Sequence, residues 1–237
     1  MRISLVLFFL LVSAGAAGAQ GGMGPGPGLG SFVNPAISYV GQCNGTTSCT
    51  APTHQVGDLF VVAAGRDSSN SAPTLPSGWT SVTTPSINGT SSNDSVMLVA
   101  CKVATTSSET ITGFTNSANL VAQVYRGQKA GTTATCASGI LGTPQNFTST
   151  VNTTTTTVTF NSATNIDGNS WDIGLAYAPA ATAGLSTAPT GMTNRSLDGS
   201  TKTAGHDTNA AVSSFSTANV TITTASRVIT SVIEIKN

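Results

Sequence analysis

The chain has 237 residues, a formal net charge of zero, 8% charged and 5% aromatic side chains. It therefore lacks the basic footprint of a nucleic-acid binder and the charge density of a disordered tail or a coiled coil. Its 39 Thr and 29 Ser are about 29% of the residues, and 39% are apolar, which predicts a packed all-β protein.

The N-terminus reads as a secretory signal over residues 1–19. Arg2 supplies the positive start, Ile3 to Val12 is an apolar run broken only by Ser4, and Ala17-Gly18-Ala19 fits the small-x-small cleavage pattern. The alternative is an uncleaved apolar terminus that packs in an assembly. The run is too short for a membrane span, which needs about 20 residues, and no second one of that length follows. Cleavage before Gln20 would remove Arg2 and leave eight basic and nine acidic side chains, so solubility would rest on hydroxyls and Asn. Residues 20–33 form a tether: Gly21 to Gly30 holds six Gly and two Pro, which suits neither a helix nor a strand ladder.

From residue 34 to 237 the pattern is strand and turn. Strands are expected at Ala36–Val40, Asp58–Gly65, Thr80–Thr83, Ser95–Ala104, Glu109–Phe114 and Asn119–Arg126. Further strands are expected at Thr154–Phe160, Ser170–Ala178, Met192–Ser196, Asp207–Ser214, Val220–Thr224 and Arg227–Ile235. Some dozen short strands predict an antiparallel β-sandwich or jelly roll. Leu59 to Ala64 is apolar on both faces and predicts a central strand. Trp171, Ile173, Leu175 and Tyr177 alternate with Asp172, Gly174 and Ala176, so large groups point to the core. Ile229, Ser231, Ile233 and Ile235 form the inner face of the last strand. Pro76-Ser-Gly-Trp79 predicts a turn after which Trp79 caps the core.

A weak repeat suggests two related halves, 34–140 and 141–237. Gly57-Asp58-Leu-Phe-Val-Val-Ala-Ala64 followed by Ala72-Pro-Thr matches Trp171-Asp172-Ile-Gly-Leu-Ala-Tyr-Ala178 followed by Ala188-Pro-Thr. Such halves would be two sheet-spanning units of one jelly roll, or two sandwiches side by side.

The four cysteines, Cys43, Cys49, Cys101 and Cys136, fit an oxidising compartment. Cys43 and Cys49 enclose a short polar loop suited to a local bridge, leaving Cys101 and Cys136 to pair at longer range. Four cysteines allow three connectivities, and Cys101 also reads as a buried free thiol. No catalytic, cofactor or metal site is indicated. His54 and His206 are the only side chains with an ordinary titration near neutrality, and His206 reads as an exposed turn residue. In a strand His206 and Asp207 would face opposite ways and form no relay. Glu109 reads as a solvated turn, and Asp58 and Asp172 as acceptors of backbone hydrogen bonds at strand entries. Asp167 to Asp172 offers hard oxygen ligands but does not match an EF-hand.

Three stretches together resemble a known family: Gly57-Asp58-Leu-Phe-Val-Val62 leading to Pro73-Thr-Leu-Pro-Ser-Gly-Trp-Thr80; Met97-Leu-Val-Ala-Cys-Lys-Val-Ala104 with Thr105 to Glu109; and Val124-Tyr-Arg-Gly127. Their order looks like that of β-rich proteins encoded in phages and prophages and associated with tails. The resemblance covers residues 34–237, and its motifs describe turns and core positions. It implies a virion- or surface-exposed β-sandwich, with homo-oligomers common, and brings no catalytic residues. The expected function is accordingly a non-enzymatic structural or binding protein of phage-tail type, secreted or on a virion, with surface glycans or virion proteins as partners. The alternative is a secreted bacterial adhesin or glycan-binding module with no virion role.

Overall fold

A computed structural model describes residues 35–89, 94–165, 168–180, 185–198 and 202–237. The expected signal peptide and tether lie outside these residues, as does Asp167. The fold is an antiparallel all-β sandwich. The first sheet uses β1 (Ser38–Gly45), β2 (Leu59–Asp67), β3 (Thr80–Thr83), β4 (Ser86–Ile87), β5 (Ser95–Val103) and β6 (Asn119–Arg126). After a 3-10 turn at Thr133–Thr135 and a π turn at Cys136–Ile140 come β7 (Gln145–Thr148), β8 (Thr155–Phe160), β9 (Ala163–Thr164), β10 (Trp171–Tyr177) and β11 (Thr193–Leu197). The chain closes with β12 (Thr203–Asp207), β13 (Ser214–Phe215), β14 (Ala218–Ser226) and β15 (Ile229–Ile235).

The strand order is β1-β6-β2-β5-β3 in the first sheet, with β4 beside β5, and β11-β12-β10-β15-β7 in the second. Read in the opposite direction the second order is β7-β15-β10-β12-β11. Each of its strands then occupies the place of a counterpart in the first sheet: β7 for β1, β10 for β2, β11 for β3, β12 for β5, β15 for β6. The two sheets therefore share one topology, and each is made by one contiguous stretch of chain. A jelly roll, whose strands alternate between sheets, is not formed. The turn before the third principal strand repeats as well. Trp79 N–H donates to Pro76 C=O at 3.2 Å and Met192 N–H to Pro189 C=O at 3.0 Å, with Gly78 at φ +78° and Gly191 at φ +88°. These are type II turns, in which the third residue must adopt positive φ and glycine does so without strain.

Why the strands are apolar on both faces follows from the layers. Leu59, Val61 and Ala63 of β2, Met97, Val99 and Cys101 of β5, and Val121 and Tyr125 of β6 meet Trp171, Ile173, Leu175 and Tyr177 of β10 and Ile229, Ile233 and Ile235 of β15 in one central core. The outer face of the first sheet, Phe60, Val62, Leu98 and Val124, is covered by Trp79, Ile111 and Phe114 from connecting loops. The outer face of the second, Ala176, Ala204 and Val232, lies under Val158 and Phe160 of β8 and Val220 and Ile222 of β14. At roughly 2 kcal/mol per buried apolar side chain, those last four contribute about 8 kcal/mol, enough to hold the β8–β14 ribbon down.

Two expected strands are corrected. Glu109–Phe114 is a loop that touches the sheet layer through one bridge, Cys49 with Ile111. The strand expected at Asp207–Ser214 lies earlier, at Thr203–Asp207. Its inner and outer faces are set by Gly205 beside Gln123 and by Ala204 beneath the β8–β14 ribbon.

Candidate functional site

Among the described residues a groove of about 850 Å³ lies on the outer side of the first sheet. Its walls are the loop after β1, over residues 48–54, and the loop after β5, over residues 107–112. The walls join at one end, where Cys49 N–H donates to Ile111 C=O at 2.9 Å and Phe114 N–H to Thr47 C=O at 3.1 Å. Cys43 and Cys49 are disulfide-bonded, which ties the first wall to β1. At the other end the walls are held by a side chain. His54 Nε2 accepts from Glu109 N–H at 3.0 Å, and its Nδ1 lies 2.7 Å from Pro52 C=O. The neutral ring with its proton on Nδ1 satisfies both contacts. Edge-to-face packing on Phe60, with centroids 4.9 Å apart, fixes the ring.

Glu109 is therefore not the solvated turn residue the sequence suggests. It pairs with Lys102 and accepts from Thr105 N–H at 2.9 Å and Thr105 Oγ1 at 2.7 Å. Burial works against its charge, but the bonds from Lys102 and Thr105 prevail and hold its carboxyl at about 2. What the groove offers a ligand is neutral: exposed Ser48, Thr50 and Thr53 on one wall, and Ser107, Ser108, Thr110 and Thr112 on the other. No Trp, Tyr or Phe lines it.

His206 is corrected too. It is buried in β12 against the Phe160 ring, centroids 5.7 Å apart, and burial pushes it down to about 4. It faces the outer layer. Asp207 faces inward, where Arg195 Nε donates to both its oxygens at 2.9 and 2.8 Å and Tyr125 OH donates at 3.2 Å. The Arg195 guanidinium also stacks 4.5 Å from the Tyr39 ring centroid, and Tyr39 OH donates to Arg195 C=O at 3.2 Å. This clasp joins β1 and β6 of the first sheet to β11 and β12 of the second. Burial drives Tyr39 up to about 12. The clasp was not legible in the sequence, because its four members are scattered and carry no spacing motif.

Asp58 and Asp172, which the repeat equates, behave differently. Asp58 accepts from Gln55 N–H at 2.8 Å and takes a two-pronged contact from Arg126, at 2.8 and 2.7 Å. Asp172 accepts instead from the Asn165 side chain at 3.0 Å and stands opposite Glu234 across the β10–β15 ladder. Burial, with Glu234 adding to it, raises Asp172 to about 6.

The second disulfide is Cys101–Cys136, which pins the π turn to β5 inside the central core. Trp79 packs edge-to-face on Phe60 and Phe114, centroids 6.3 and 5.1 Å away, and is 8% exposed, so its ring is core rather than ligand platform. Among the described residues no three His, Cys, Asp or Glu side chains gather to hold a metal, and no helix is long and apolar enough to cross a membrane. No protein-family model matches the chain, and neither curated proteins nor solved structures give a match.

Proposed function

We propose that this is a non-enzymatic, surface-exposed protein of phage-tail type that presents its sandwich for contact with a host surface or for packing into a virion. One observation carries the reading. The groove is walled by hydroxyls, and its two ionisable side chains, His54 and Glu109, are committed to holding the walls together. A general base needs a free nitrogen or carboxylate aimed at a substrate proton; here those atoms already have partners. Two disulfides suit an oxidising surrounding. The order of the turn and core motifs from Gly57 to Gly127 supports the phage-tail form.

A second reading, a secreted adhesin or glycan-binding module with no virion role, draws on the same neutral lining. Density-gradient fractionation of the source culture, followed by mass spectrometry of the native protein, separates the two. Recovery in particle fractions with the Met1 segment intact supports the virion form. Free protein starting at Gln20 supports the secreted module. Recovery only inside cells, bound to no particle, overturns both.

A further inference from the structure

We infer that the groove between residues 48–54 and 107–112 binds an uncharged carbohydrate chain, gripped by hydroxyl hydrogen bonds rather than by ring stacking. The inference rests on the reading of this protein as a binding module and names the ligand class of its groove.

The shared topology of the two sheets shows that the groove is built. In the second sheet the connection before β10 and the connection before β15 cross the outer face and zip together. There β8 pairs with β14 from Ala218↔Phe160 to Thr221↔Thr157, and again at Ser226↔Thr155. The corresponding connections of the first sheet, before β2 and before β6, cross its outer face too. They meet at the Cys49–Ile111 bridge and then diverge. Beyond that point the imidazole of His54 stands between the two backbones and accepts the Glu109 N–H. A side chain inserted there holds the walls farther apart than the 4.7–4.9 Å of paired strands. The disulfide to Cys43 anchors the first wall to β1 at the joined end. One copy of the scaffold thus closes its cover layer, and the other props it open.

The lining selects the ligand. A hydroxyl both donates and accepts, so rows of Ser and Thr match a ligand that carries hydroxyls itself. An anionic chain would meet no Lys or Arg among the lining residues, and a cationic one would find the Glu109 charge already taken by Lys102. Without a Trp, Tyr or Phe platform each sugar is held only by exchange of water hydrogen bonds for protein ones, a small net gain per bond. Affinity for a short oligosaccharide should therefore be weak, on the order of millimolar.

The test is a titration of the ¹⁵N-labelled full chain, followed by amide shifts. The probes are neutral hexasaccharides of glucose, mannose, galactose and N-acetylglucosamine, with a galacturonic acid hexamer and a Ser/Thr-rich decapeptide as counter-probes. Expected are saturable shifts confined to residues 48–54 and 107–112 with at least one neutral hexasaccharide. The exposed substitution Thr110→Trp should weaken that binding at least tenfold, while Thr221→Trp on the closed second layer leaves it unchanged. His54→Phe keeps a ring in place but loses the Glu109 contact, and should weaken binding with the fold intact. The inference is overturned by no shift at 10 mM of any neutral probe, by tighter binding of the acidic hexamer or the peptide, or by shifts elsewhere on the surface. None of these outcomes changes where the protein fractionates, so failure here is distinct from failure of the broader reading.

Discussion

Asp172 and Glu234 face each other on neighbouring central strands, and Asp172 is fully buried. Its carboxyl titrates at about 6, mainly because burial penalises the charge. A folded value above the unfolded one means that the native state binds the extra proton. Stability from this group therefore rises as pH falls from above 6 towards 4, and ionisation at neutral pH costs on the order of 2 kcal/mol. His206 works in the opposite sense. Burial lowers it to about 4, so its contribution is full above its unfolded value of 6.5 and is lost as pH falls through 4. Between pH 4 and 6.5 the two slopes oppose each other. Asp172→Asn should raise the urea midpoint at pH 7.5, equivalent to about 2 kcal/mol, and should expose a steep loss of stability on acidification. A lower midpoint at pH 7.5 would show that the carboxylate is held by interactions that favour its charge. His206→Leu should leave the reverse profile, with stability climbing as pH drops to 4.5.

At the scale of elements, the Arg195–Asp207 clasp and the paired type II turns make separate predictions. Arg195→Met would strand the buried Asp207 carboxylate, and removing one partner of a buried pair costs about 3–5 kcal/mol. Replacing Asp207 with Asn in the same molecule should restore most of that loss in chemical denaturation. An equal loss in the double variant would place the cost in packing on Tyr39 instead. The turns should respond alike to strain. Gly78 has open space where a Cβ would go and Gly191 only an ordinary contact with Phe215, so Gly78→Ala and Gly191→Ala should each cost about 1–2 kcal/mol through positive φ alone. The turn at Gly78 was readable in the sequence, since Pro-x-Gly before a strand has one economical geometry, and the same pattern stands at Gly191. The strands buried on both faces, β2 and β10, were readable for a similar reason: their alternation or apolar continuity states which faces are covered. β12 was not. Thr203-Ala-Gly-His-Asp207 has weak strand propensity, and its residues are small because Gln123 and the β8–β14 ribbon press on it from either side. Glu109–Phe114 failed in the other direction. Ile111 and Phe114 are apolar because they roof the first sheet, not because they belong to a ladder.

For the whole molecule the question is whether two sheets of one topology behave as two units. Each sheet is a contiguous stretch of chain and each carries its own outer cover, which favours independence. The inner faces decide otherwise. Neither sheet covers Val61, Val99 and Tyr125, or Ile173, Leu175 and Ile233, except with the other. Polar contacts cross the same interface at several points: Arg195 stacks on Tyr39, Asn119 Nδ2 donates to Asp198 at 2.7 Å, and Arg227 pairs with Asp67. Separating the sheets would expose a central core that holds more large apolar side chains than either cover. Unfolding should therefore be one transition, with calorimetric and van't Hoff enthalpies equal and, for about 200 residues, near 140 kcal/mol at 60 °C. Two resolved transitions would mean that the covers, not the shared core, stabilise each sheet. Local opening should follow the same hierarchy. Amides of β2 and β10 should exchange only through global unfolding, whereas those of β8 and β14, anchored by one face of four apolar side chains, should exchange through a smaller opening. The groove walls belong to the first cover, which the Cys43–Cys49 bond and the His54 contact brace where the second cover relies on its ladder. Reduction of that bond should accelerate exchange at residues 48–54 and leave β8 and β14 unchanged.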